Sequence, residues 1–157
     1  MKTHRLNILC LLLLWLAIGT SARAQIAIVA NDSAAVSDVS MNDLKRLYLG
    51  SLSTFGGQQI TLIEYTPAAE TFYKSTVNMT ILKFRQHWLK MVFSGRTATP
   101  PTAFSDPTEI NQALSKKPGS ICFLPLDKVV KGMKILTVDH KMPTDSGYAI
   151  QTPSKRD

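Results

Sequence analysis

Apolar positions recur along the chain in two alternating patterns. Short runs rich in β-branched residues predict strands, and longer stretches with apolar residues three and four positions apart predict helices. The strand-like runs are IAIVAN, ITLIEY, SICFLP and MKILTV, which begin at Ile26, Ile60, Ser120 and Met133. Strands that alternate with helices favour an α/β layer with a largely parallel sheet, in which ligands bind at the carboxyl ends of the strands.

Capping residues mark the expected helix starts. Ser40, Thr80 and Asp106 each precede an apolar helical pattern, which is the position that an N-cap side chain occupies. The longest helix is predicted to run from Thr80 through Phe93. Its inward face is expected to consist of Ile81, Phe84, Trp88, Leu89 and Val92, and its solvent face of Lys83, Gln86, His87 and Lys90.

The first 24 residues have the pattern of a cleaved signal peptide. Lys2 and Arg5 precede an apolar run from Ile8 to Ile18, and a small-x-small cleavage pattern ends at Ala24. The run is short for a membrane span, and no second run follows it. We therefore expect a secreted, periplasmic protein without a membrane span once the leader is removed.

The rest of the chain has the length of one domain. We expect that domain at residues 25–138, followed by a polar C-terminal extension at residues 139–157. Loss of the leader lowers the formal net charge from +7 to +4, which suits a small anion or an acidic surface. No nucleic-acid partner is expected, because aromatic residues for base stacking do not interleave with the basic residues of the long helix.

The sequence lacks the usual marks of an enzyme. There is no supported Ser/His/acid set, no paired-carboxylate signature and no glycine-rich phosphate loop. His87 and His140 are far apart, and Cys122 lies in an apolar run where burial is expected. We therefore expect a non-enzyme without a metal or other cofactor.

The stretch ITLIEYTPAAETFY carries the strongest candidate site. Thr66 can cap a helix that follows a buried strand, and Pro67 suits its first turn. An open helix start presents amides and a positive dipole end to an anion. The expected oxyanion contacts are the Thr66 hydroxyl and the backbone at Ala68, Ala69 and Glu70, although the Glu70 carboxylate would repel the anion.

Four short elements follow one another in the sequence: LYLG at Leu47 to Gly50, Thr66-Pro67, Trp88 with Phe93-Ser94-Gly95, and PGSICF at Pro118 to Phe123. In this order they resemble the small phosphate-binding-protein-like domains related to the periplasmic receptors of phosphate ABC transporters. The match extends to about Val138. The resemblance implies a single lobe of a type 2 periplasmic-binding-protein-like fold, and phosphate or a similar small oxyanion as the ligand.

The loop from Ser94 to Thr97 is also expected at the carboxyl ends of the strands and adds residues to the site, while the family pattern shows departures. Ser94, Gly95 and Arg96 join the candidate site, since the planar guanidinium of Arg96 suits phosphate if it folds back from its loop. It could equally be an exposed loop arginine. Small homologues often carry an arginine where Ala69 falls, and Cys122 replaces a glycine of the family pattern.

Two functions stay open from the sequence. One is a solute-binding-like protein whose site is closed by a homodimer or by another envelope protein, because a full receptor has two such lobes. The other is a ligand-free interaction module of the cell envelope that uses the same lobe. Neither the ligand nor the oligomeric state follows from the sequence.

Overall fold

The computed structural model describes residues 25–95 and 98–150 of the chain. The predicted signal segment, Arg96 and the last seven residues lie outside the described residues. The strands are β1 Ile26–Asn31, β2 Asp38–Val39, β3 Thr54–Phe55, β4 Gln58–Gln59, β5 Thr61–Tyr65, β6 Thr102–Phe104, β7 Ser120–Pro125 and β8 Met133–Val138. The helices are α1 Met41–Tyr48, α2 Ala69–Val77, α3 Ile81–Phe93 and α4 Pro107–Lys116, with 3-10 turns at Thr66–Ala68 and Leu126–Lys128.

The described part of the chain forms a six-stranded sheet in the order β2-β8-β1-β7-β5-β6. The strands β2, β8, β7, β5 and β6 point in one direction, and β1 runs against them between β7 and β8. A separate small hairpin joins β3 and β4. The predicted α/β fold with a mostly parallel sheet is therefore confirmed, with the first strand as its antiparallel member.

Strand β1 is apolar without interruption because it lies in the middle of the sheet. Ile26 to Ala30 are all buried, so both faces of the strand are covered. In register, Ile28 pairs with Phe123 of β7 on one side and with Leu136 of β8 on the other. The centre of the sheet thus joins residues from the two ends of the described chain.

An aromatic cluster fills the space between the sheet and the helices. Phe72 stacks on Phe123 with ring centroids 3.8 Å apart, and Tyr73 stacks on Phe84 at 3.6 Å. Tyr48 packs edge-on against Phe72 at 4.8 Å. Since these rings come from α1, α2, α3 and β7, the cluster fixes the helices against the sheet through burial and ring contacts.

The buried face of α3 differs from the predicted one. Phe84, Trp88 and Met91 are buried, whereas Leu89 is 58% exposed and Val92 is 50% exposed. The indole N–H of Trp88 donates to the Tyr48 carbonyl at 3.1 Å, which sets the rotation of the helix about its axis. His87 was expected on the solvent face, but its ring nitrogen lies 2.9 Å from the Leu49 carbonyl oxygen.

Packing continues beyond the predicted domain boundary at residue 138. Tyr148 and Ile150 are both buried and belong to the hydrophobic core. The preceding loop is held by a bridge between Val138 and Lys141 and by the Asp145 carboxylate, which accepts from the Met142 amide at 2.7 Å. The described part of the polar extension therefore folds back onto the domain.

Candidate functional site

The Thr66 turn connects the carboxyl end of β5 to α2. The strand ends at Tyr65, a 3-10 turn spans Thr66–Ala68, and α2 begins at Ala69. The amide of Ala69 donates to the Thr66 carbonyl, so Thr66 lies inside the turn and its side chain makes no capping hydrogen bond. The predicted capping role of Thr66 is therefore wrong, because a 3-10 turn separates Thr66 from the first residue of the α-helix.

The other three α-helices in the described residues have side-chain caps at their starts. Their capping oxygens accept hydrogen bonds from amides two or three residues further along the chain. The pairs are Ser40 with Asp43 at 3.0 Å, Thr80 with Lys83 at 3.3 Å, and Asp106 with Thr108 at 2.8 Å. Neither the Thr66 turn nor the start of α2 has such a cap. Among the α-helices of the described residues, α2 is therefore the one that starts without a capping side chain, and the 3-10 turn at Leu126–Lys128 has none either.

Thr66 and Pro67 are exposed, while Ala68 and Ala69 are buried beneath them. The exposed pair follows the carboxyl end of β5, which lies between β6 and β7 in the sheet. The first residue of α2, Ala69, is itself buried, so solvent meets this helix start at the Thr66-Pro67 turn that precedes it. This geometry suits contact with a small anion from solvent.

Glu70 belongs to the first turn of α2, but its carboxylate binds elsewhere. One oxygen accepts from the Ile81 amide at the start of α3 at 2.7 Å, and the other lies 2.8 Å from Lys74 Nζ. The hydrogen bond from Lys74, followed by that from the Ile81 amide, lowers the pKa of Glu70. The carboxylate is thus paired at the next helix start, which reduces the repulsion expected at the Thr66 turn.

Ser94 and Gly95 are not brought to Thr66. They follow the end of α3, where the Ser94 hydroxyl donates to the Met91 carbonyl at 2.8 Å. Gly95 lines a cleft with Thr61, the first residue of β5, whereas Thr66 follows the last residue of that strand. Thr61 and Thr66 are about 16 Å apart along β5, at a rise of roughly 3.3 Å per residue, so the cleft at Gly95 lies towards the opposite end of that strand from Thr66.

The cleft that contains Gly95 has a volume of about 890 Å³. It lies at the amino ends of β5 and β6, and Lys117 is the ionisable side chain among its described lining residues. Its other polar groups are the side chains of Ser51, Ser53, Gln59, Thr61, Thr99 and Thr102. These residues come from separate segments with no shared motif, so sequence reasoning had no local signal for them.

A buried charged group lies directly below the Thr66 turn. Glu64 of β5 is fully buried and accepts a hydrogen bond from the Tyr73 hydroxyl at 2.5 Å and another from the Arg85 guanidinium. Burial, and then the nearby Glu64 charge, raises the pKa of Tyr73, which keeps the phenol protonated as a donor. The arrangement ties β5, α2 and α3 together beneath the candidate site.

Two further properties concern the described residues as a whole. They contain no group of three or more His, Cys, Asp or Glu side chains placed to hold a metal ion. None of the helices formed by these residues combines the length and apolar character needed to cross a membrane.

No protein-family model matches the sequence, and no curated protein matches it. Solved structures match its fold. An ABC-type phosphate transport receptor from Vibrio cholerae is 14% identical with a TM-score of 0.64, and PstS from Borrelia burgdorferi is 16% identical with a TM-score of 0.62. A putative phosphate ABC transporter substrate-binding protein with bound phosphate from Clostridium perfringens is 13% identical, also with a TM-score of 0.62.

These matches cover 82% of this chain but 53%, 54% and 52% of the respective receptors. The chain thus spans about half the length of the receptors. It has the fold of solute-binding receptors, and the fold expected from the sequence resemblance is confirmed.

Proposed function

We propose that the protein is a periplasmic solute-binding-like protein that takes phosphate or a similar small oxyanion at the Thr66 turn. The anion would contact the Thr66 hydroxyl and the positive end of α2 at Ala68, Ala69 and Glu70. The observation that carries the proposal is the exposed Thr66-Pro67 turn, which leads into α2 without a capping side chain at the carboxyl end of β5. The fold shared with phosphate receptors adds support.

The isolated lobe should bind weakly. Three charge-assisted hydrogen bonds are worth roughly 1.5–3 kcal/mol each, and association costs at least ~4 kcal/mol. On an open, wet surface this leaves a dissociation constant on the order of millimolar. Because the solved receptors are about twice as long, a second copy or an envelope partner is the proposed source of the missing wall.

The direct test is calorimetry with phosphate and sulfate on residues 25–157. Thr66→Ala should lower affinity without loss of stability, since its side chain makes no capping hydrogen bond. The matched control is Thr80→Ala, which removes a real cap and should cost about 1 kcal/mol of stability while leaving affinity unchanged. Absence of both heat and a thermal shift at about 10 mM anion, roughly tenfold above the expected millimolar dissociation constant, would reject oxyanion binding.

A ligand-free interaction module of the envelope is the second candidate function. It is favoured by the small number of hydrogen-bond donors left for an anion at the Thr66 turn. The Ala69 amide already donates to the Thr66 carbonyl, and Pro67 has no amide hydrogen. Thr66→Ala would then leave capture of a specific envelope protein unchanged. Failure to recover any reproducible partner from envelope extract would count against this candidate.

A further inference from the structure

One face of α3 is apolar but exposed to solvent, and it does not pack on the hydrophobic core. Leu82 is 72% exposed, Leu89 58% and Phe93 82%. Positions 7 and 11 residues apart lie along one side of a helix, so these residues form a row, which we call the α3 row. The opposite side of α3 already packs on the core through Phe84, Trp88 and Met91. The α3 row is therefore available to a surface outside the lobe.

Basic side chains border the α3 row. Lys83 and Lys90 are exposed, lie seven residues apart and share one flank of the row. The helix sequence ILKFRQHWLKMVF contains no acidic residue. Two carboxylates contact α3 in the described residues, and both already have partners. Glu64 is paired with Arg85 and Tyr73. Glu70 is paired with Lys74 and the Ile81 amide. The charge around the row thus selects a negatively charged surface.

Two other occupants fit the row less well. A second copy paired through α3 would bring Lys83 and Lys90 of both copies together without an acidic side chain of the helix between them. A groove in an acidic protein would need apolar anchors at each turn, but Gln86 occupies the turn between Leu82 and Leu89. Its amide would be desolvated in a dry groove, whereas at a lipid surface it can reach water and headgroups.

We propose that α3 docks on anionic phospholipid surfaces, with the α3 row inserted among the headgroups and Lys83 and Lys90 on the lipid phosphates. Apolar side chains on one face with lysines beside them are the pattern of helices that lie in the membrane interface. The helix is short, so the association is peripheral and sensitive to salt. The proposal does not depend on oxyanion binding at Thr66.

Sedimentation of residues 25–157 with vesicles provides the test, since these residues contain every described element. Binding is expected to mixed phosphatidylglycerol and phosphatidylcholine vesicles, to weaken with salt, and to be absent with phosphatidylcholine alone. Phe93→Ser should lower the partition coefficient by about tenfold, because an exposed aromatic ring is lost without disturbance of the core. Val130→Ser, at an apolar residue 40% exposed outside α3, is the matched control and should bind as the unaltered chain does.

Charge-reversal variants distinguish a specific role of Lys83 and Lys90 from a general effect of net charge. Lys83→Glu/Lys90→Glu should weaken binding to anionic vesicles by about tenfold or more. Lys45→Glu/Lys131→Glu has the same net charge at two exposed positions outside α3 and should retain binding. Equal losses in the two double variants, or no vesicle binding by the unaltered chain, would overturn the proposal. Ultracentrifugation could instead show a dimer of the unaltered chain that Phe93→Ser dissociates, with no binding to vesicles. That result would overturn the lipid proposal and identify a second copy as the occupant of the α3 row.

Discussion

The buried carboxylate of Glu64 allows a prediction about stability. Whether Glu64→Gln raises or lowers the free energy of unfolding should depend on whether Arg85 is present. Its two donors are the Tyr73 hydroxyl and the Arg85 guanidinium. Arg85→Met leaves a fully buried negative charge with a single donor. Loss of one partner of a buried pair costs about 3–5 kcal/mol, and we expect the lower end because the Arg85 side chain is 42% exposed and water can replace it.

Glu64→Gln alone should cost about 1–2 kcal/mol. The neutral amide keeps its shape and can still accept from Tyr73, but the charge-assisted part of both hydrogen bonds is lost. In the Arg85→Met background the same change removes the uncompensated charge. There we expect Glu64→Gln to increase the free energy of unfolding by about 1 kcal/mol, so the double variant is more stable than Arg85→Met.

Urea unfolding of residues 25–157 can measure this cycle, with fluorescence as the probe. Trp88 is the only tryptophan after residue 24 and lies in the core, so it reports on global unfolding. The four proteins of the cycle should unfold with the same denaturant slope. Additive losses, in which Glu64→Gln destabilises the Arg85→Met protein as much as the unaltered chain, would refute the reasoning.

Two further predictions concern a glycine and a surface carboxylate. Gly50 has φ +71, and a β-carbon there would lie 2.8 Å from Trp88 Cη2, so Gly50→Ala should cost about 2–4 kcal/mol in urea unfolding. The control Gly57→Ala, at φ +77 with nothing within 4 Å, should cost only about 1 kcal/mol, and equal losses would contradict the packing argument. The lowered pKa of Glu70 stabilises the fold above the unfolded-state pKa, and this contribution is lost as the pH falls through the folded-state pKa. Urea midpoints should therefore differ between the unaltered chain and Glu70→Gln at neutral pH and converge as the pH falls below the folded-state pKa, and a difference independent of pH would contradict the pairing with Lys74.

Much of the secondary structure follows from local patterns. Ser40, Thr80 and Asp106 were expected to cap helices, and each accepts the capping hydrogen bond. The strand runs beginning at Ile26 and Ser120 also form the predicted strands. These features depend on neighbours a few residues away, which a sequence displays directly.

The features that the sequence did not predict depend on distant contacts. A run of apolar residues gives no strand direction, so the antiparallel placement of β1 could not be inferred. Helix α3 is apolar on more than one side, and contacts with distant residues, such as that of Trp88 with Tyr48, accompany the burial of Met91 rather than Val92. The separation of Gly95 from Thr66 likewise depends on where α3 ends relative to β5.

The central position of β1 has a consequence for how the chain reaches its native state. The first strand finds its two neighbours only in β7 and β8, across most of the described sequence. Bringing such remote segments together requires a large loss of chain entropy before any pairing energy is gained. We therefore expect β1 to pair late and the domain to fold slowly. A break between β7 and β8 would deprive β1 of one of its two neighbours, and the first and last strands of the described residues therefore gain or lose their structure together.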